Sequence, residues 1–115
     1  MKVKIQQEGK HESEQLIAIL ELGLLTALEE KVMEIEDVEH LLFNPSTLNK
    51  LIDNSFDKEI VDVIHLGTEL EDVQSLIPDK LDDNIFELKT KTIDILKMYK
   101  DKNVKSNRLI QEISR

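Results

Sequence analysis

Three features of the sequence predict an all-α fold: a single compact domain of five to seven helices, with residues 1–9 as an extended or flexible arm. Glu, Lys, Leu and Ile dominate, and three Gly and two Pro in 115 residues are too few for the frequent turns of an all-β chain. Apolar residues recur at helical spacing along most of the chain. No repeat, low-complexity tract or long linker divides it. A hydrophobic fraction of 40% beside 34% charged residues can fold, and a chain of this size buries about 65% of its unfolded surface around one core.

The elements follow in order. "MKVKIQQEG" alternates briefly at Val3 and Ile5, enough for a lone strand or arm but not for a sheet by itself. From about residue 10 to 31, Leu16, Ile17, Ile19, Leu20, Leu22, Leu24, Leu25 and Leu28 cover most of a helix circumference, as expected at the centre of a domain. Gly23 and Ala27, one turn apart, would let a second helix pass close. "IEDVEHLLFNP" predicts a short helix over 36–43 with Val38, Leu41 and Leu42 inward and acids in its first turn, where the helix dipole favours them. Asn44 suits an N-cap and Pro45 a first helical position, so a further short helix should bury Leu48, Leu51 and Ile52. Asp57 can cap the next. Leu81, Ile85, Leu88, Thr92, Ile95 and Tyr99 then form a heptad-like stripe on a helix of about 20 residues. Residues 10–101 are thus the helical core. Val104, Leu109, Ile110 and Ile113 predict a basic C-terminal helix over 103–115.

Several function classes fall away. Without Cys there are no disulfides, thiolate nucleophiles or Cys-ligated zinc. No GxSxG, GxxxxGK[ST], GxGxxG or HExxH is present, and no EF-hand loop, so no catalytic, cofactor-binding or metal residue is assigned and no cofactor is expected. The apolar run at 15–28 carries Glu21 and is too short to cross a bilayer, so no membrane partner is expected. Glu8, Glu12 and Glu14 stand where a signal peptide would be basic, which points to a cytoplasmic location.

Charge is unevenly distributed within a net −9. Residues 1–88 hold seven Lys against 21 acids, whereas residues 89–115 hold eight basic residues against three acids. An acidic body repels phosphate, so nucleic acid is not an expected partner unless the basic C-terminal helix contacts DNA alone. The densest acidic run is 29–39. Glu34, Glu36, Asp37 and Glu39, with Glu69, Glu71 and Asp72, form the candidate surface for a basic protein partner.

"HLGTELEDVQSLIP", residues 65–78, is the most site-like stretch. A helix continuous through Gly67 would bring His65, Glu69 and Asp72 together for a metal-dependent or hydrolytic reaction. The apolar face, however, changes phase at Gly67. A helix ending there, with Gly67 left-handed and Thr68 and Glu71 forming a capping box, explains the acids as helix starters.

"ELGLL", "LLFNP" and "LGTELED" resemble segments of a family of small, acidic, functionally uncharacterised bacterial proteins, a domain of unknown function; the likeness spans about residues 16–96. The resemblance implies no activity, cofactor or catalytic residue. The expected function is that of a non-catalytic helical protein, regulator or immunity-like inhibitor, that binds another protein. It would be a monomer or a homodimer, with the heptad stripe either satisfied internally or forming a dimer seam.

Overall fold

The computed structural model describes residues 1–115. Its elements are β1 (Lys2–Ile5), α1 (Lys10–Glu29), α2 (Ile35–Leu41), α3 (Pro45–Asp53), α4 (Lys58–Thr68), α5 (Leu70–Leu76), a 3-10 turn at Pro78–Lys80, α6 (Leu81–Asp101) and β2 (Ile110–Ser114). Four helices, α1, α3, α4 and α6, carry the architecture where five to seven were expected; α2 and α5 are seven-residue links between them.

The fold is built on α1 against α6. The buried residues of α1 are Glu14, Ala18, Glu21, Leu25 and Leu28, and those of α6 are Ile85, Leu88, Thr92, Ile95 and Tyr99. Both sets recur every three and four residues, so each helix offers one narrow stripe to the other. The pair is antiparallel: Lys89 Nζ meets Glu29 Oε1 at 2.7 Å and Lys31 meets Asp82 at one end, while His11 stacks near Tyr99 at the other. The α6 stripe is therefore satisfied inside the chain, not by a dimer seam. Helix α4 lies over this pair and buries Ile60, Val63 and Ile64, and Ile35, Val38, Leu42, Phe43, Leu51 and Leu70 complete the core. Each such aliphatic side chain contributes about 1.5–3 kcal/mol when fully buried.

Local chemistry sets the helix starts as the sequence predicts. Asn44 Oδ1 accepts from the Thr47 N–H at 2.9 Å with Pro45 in the first turn of α3, and Asp57 Oδ1 accepts from the Glu59 N–H at 2.9 Å to start α4. The stops use residues with positive φ that are not glycine: Lys31, Ser55 and Asn103. After each, the next N–H reaches back five residues in a Schellman-type closure, from Val32 to Ala27, Phe56 to Leu51 and Val104 to Tyr99. Two smaller expectations fail: Leu41 and Ile52 are exposed rather than inward.

The C-terminal segment is not a helix. After Asn103 the chain runs extended, and β2 pairs antiparallel with β1, joining Lys2 to Ser114, Val3 to Ile113, Lys4 to Glu112 and Ile5 to Ile110 around a bulge. The fold is thus mainly helical with a two-stranded sheet, not all-α. The spacing of Ile110 and Ile113 suits a helix; the N-terminal strand decides in favour of extension by supplying backbone partners, and the bulge then brings both onto one face. At the ribbon's base Gln7 Nε2 donates to the Asn107 carbonyl at 2.7 Å and Gln7 Oε1 accepts from the Asn107 N–H at 3.1 Å, and Ser106 ties the segment to α1 by donating to Gln15 Oε1 at 2.9 Å.

The junction near Gly67 exists, but for a different reason. Helix α4 continues through Gly67 to Thr68, and the turn falls at Glu69, which ends α4 and starts α5. Gly67 is not left-handed; it is buried, and a β-carbon on it would sit 2.8 Å from Phe43 Cγ. The glycine admits the Phe43 ring. Thr68 forms no capping box, its hydroxyl donating to the His65 carbonyl instead. At Gly23 no helix passes close, since an added β-carbon there meets nothing within 4 Å.

Three substitutions separate these roles in urea or thermal melts. Gly67→Ala should destabilise the protein by about 1–3 kcal/mol through overpacking against Phe43, despite alanine's better helix propensity. Gly23→Ala should stabilise it by about 0.5–1 kcal/mol. Thr68→Ala should cost less than about 0.5 kcal/mol, well below a lost N-cap; a loss near 1 kcal/mol would restore the capping role.

Candidate functional site

The seven acidic candidates divide into three groups. Glu34 and Asp37 are engaged in starting α2, where the Glu34 N–H donates to Asp37 Oδ2 at 2.9 Å. Glu69 pairs with His65, Nε2 to Oε1 3.5 Å, with both side chains more than half exposed. Glu36, Glu39, Glu71 and Asp72 form the third group, because α2 and α5 pack against each other and bring acids 35 residues apart in sequence onto one surface. Burial of the Glu39 carboxyl, then the charge and hydrogen-bonding contact of Glu71, then the charges of Glu36 and Asp72, all push Glu39 above the usual carboxyl range. One Glu39 oxygen is buried without a partner. Like charges held this close make an anionic pole whose repulsion a docked cation would relieve.

Neither alternative constellation assembles. The break at Glu69 puts His65 and Asp72 on different helices, and no three His, Asp or Glu side chains are grouped to hold a metal ion. His40 makes no ion pair with Glu36, the partner its spacing offers. Between α4 and α6 lies a shallow open cleft lined by Glu59, Asp62, Lys91, Asp94 and Ile95. Its charged lining differs from the enclosed, mainly apolar form of small-molecule sites. The basic residues expected on a C-terminal recognition helix, among them Lys105 and Arg108, lie on an extended segment.

The sequence reading passed over a buried polar line along α1. Glu14 is 1% exposed: its Oε2 accepts from the Asp57 N–H at 2.5 Å and its Oε1 lies 3.3 Å from His11 Nδ1. The Tyr99 hydroxyl is within reach of the same carboxyl, and burial together with the charges of Glu14, Asp57 and Glu21 holds the phenol above its ordinary range. Glu21, one heptad further, is wholly buried, and neither carboxyl oxygen has a hydrogen-bond partner. Thr92, the buried hydroxyl of the facing stripe, donates to the Leu88 carbonyl of its own helix at 2.8 Å. Burial therefore pushes Glu21 up to about 9, and at neutral pH it is protonated. The four-and-three spacing of residues 14, 18, 21, 25 and 28 was the available signal, masked because two of the five are glutamates.

This sets a pH dependence with a definite sign. At pH below the ordinary carboxyl range Glu21 is protonated in both folded and unfolded chains and has no effect. Between that range and about 9, only the unfolded chain has released the proton, so rising pH favours unfolding. The slope is about 1.4 kcal/mol per pH unit, and the accumulated cost at pH 7 is on the order of 3 kcal/mol. Glu21→Gln should remove the slope, so that its advantage over the parent in urea melts grows by roughly 1 kcal/mol per unit between pH 5 and 8. A difference that does not vary with pH would show that Glu21 is not held protonated.

The helices and the acidic pole fall within one matched region, whereas β1 and most of β2 lie outside it. No curated protein and no solved structure matches the chain. A family model described as "Protein of unknown function (DUF3969)" matches residues 8–111, from the approach to α1 into the second strand, and the chain belongs to that family.

Proposed function

We propose that the protein is a non-catalytic binding module that uses the α2–α5 acidic pole to dock on a basic surface of another protein, as a regulator or inhibitor that covers that surface. The observation that carries this reading is the convergence of Glu36, Glu39, Glu71 and Asp72 from two helices, with Glu39 pushed above the carboxyl range by its neighbours. A pole of this kind stores repulsion in the free protein, and a cationic partner lowers its energy. The exposed Leu41 beside it on α2 and Leu76 on α5 supply aliphatic area to accompany the charge.

Long-range attraction to such a pole raises association rates and is screened by salt. An arginine-rich peptide serves as the probe. It should bind with an affinity that falls steeply with salt and that weakens as pH falls into the carboxyl range. Glu36→Lys with Glu71→Lys should weaken binding at least tenfold, a loss of about 1.4 kcal/mol. Glu59→Lys with Asp62→Lys, the same change in net charge placed on the α4–α6 cleft, should weaken it less than threefold. Equal losses from both pairs would mean that the peptide reads overall charge, and the proposal would fail.

A further inference from the structure

The two-stranded ribbon is the part of the fold that no helix covers. Residues directly opposite in an antiparallel pair point the same way, so the pairs Val3–Ile113 and Ile5–Ile110 share one face, and Lys2, Lys4, Glu112 and Ser114 occupy the other. On the aliphatic face Val3 is 55% exposed, Ile5 44%, Ile110 56% and Ile113 59%, and Met1 continues the same alternation at 93%. Neither strand makes more than a passing contact with a helix. The radius of gyration, 14.6 Å, exceeds the roughly 13 Å expected for a compact chain of this length, as a projecting ribbon requires. A lone two-stranded ribbon is marginal in water and needs a packed face to be stable.

We propose that the face of Val3, Ile5, Ile110 and Ile113 packs against the same face of a second copy of this chain, in a two-fold symmetric dimer. The face is self-complementary in chemistry, being aliphatic throughout. With Met1 it presents on the order of 500 Å² of exposed surface, so a face-to-face pair removes roughly 1,000 Å², about the smallest area that sustains a specific interface. The cations do not oppose it, because Lys2 and Lys4 project from the outer face, where Lys4 is 3.6 Å from Glu112. That charged outer face also limits the assembly to two copies, since a third ribbon would have to cover lysines. An acidic protein or anionic lipid surface would be read by the lysine face and would leave the aliphatic one bare.

Sedimentation equilibrium on the full chain, from about 5 to about 500 µM, should show a monomer–dimer equilibrium with a dissociation constant in the micromolar range. High salt should leave it intact. Val3→Thr with Ile113→Thr, which keeps β-branched residues in the strands, should raise that constant at least tenfold. Ile5→Thr with Ile110→Thr repeats the test at the other end of the face. Lys2→Thr with Lys4→Thr, on the same strand but the opposite face, should change it less than twofold. Cross-strand amide contacts measured by NMR verify that the ribbon persists in each variant. A chain that stays monomeric throughout the range overturns the proposal, as does association that survives both aliphatic pairs or dissolves in high salt. So does a monomer that binds phosphatidylserine-rich vesicles through Val3 and Ile113, since lipid would then be the occupant.

Discussion

The antiparallel seam between α1 and α6 is the constraint on which the remaining structure depends. It joins the first long helix to the last, so every intervening element must fit between two fixed walls. Ala18 of α1 and Thr92 of α6 are small and wholly buried within it. Its ends are held by different chemistry: the Lys89–Glu29 ion pair, half sheltered from water, at one end, and the Glu14, His11 and Tyr99 group at the other. Tyr99 is the largest fully buried side chain, and the Lys102 ammonium lies 5.7 Å from its ring centre, where the ribbon begins.

Two buried glutamates on one face make this seam more specific than it is stable. Glu14 has a structural role, since its carboxyl accepts the Asp57 N–H and so locks the entry of α4 against α1. Glu21 has no such partner, and a leucine there would bury more apolar area without the penalty of removing a carboxyl from water. A polar group at one heptad position does restrict how two helices can slide past each other, because any shifted register would place the carboxyl opposite a larger apolar side chain. In this fold that restriction keeps Glu29 opposite Lys89 and Glu14 beside Tyr99. The register in turn brings both chain termini to one end, where β1 and β2 can meet.

How much of this was legible follows from where each signal is stored. The stripe of α6 and the starts of α3 and α4 are local, written within a few residues as spacing, Asn44–Pro45 and Asp57, and they are read correctly. The buried face of α1 is equally local, but Glu14 and Glu21 imitate a solvent face, and leucines and isoleucines cover most of the circumference, so no single stripe stands out. The phase change at Gly67 was a true sign of a junction, yet its cause lies in Phe43, 24 positions earlier, whose ring needs the space a side chain would fill. The strand at 110–114 depends on a partner about a hundred residues away, and no local pattern distinguishes it from a helix. The acids of the pole were legible as residues, but their convergence was not. It requires α2 and α5 to pack, and each is too short to be positioned by its own periodicity.

The same geometry keeps the two exposed surfaces from interfering. The ribbon stands at the N-terminal end of α1. The acidic pole lies beyond its C-terminal end, where α2 begins and where the pole's other half, α5, leads into α6. Twenty residues of α1 separate them by about 30 Å, some three to four Debye lengths at physiological salt. The cations of the C-terminal segment therefore do little to neutralise Glu36, Glu39, Glu71 and Asp72, and those acids do little to attract a second ribbon. A chain with the same composition and mixed charges would have a weaker field at either end. The excess of acids before residue 88, 21 against seven Lys, leaves Glu36, Glu39, Glu71 and Asp72 in a negative surrounding even with Lys31 and Lys89 at the same end of α1.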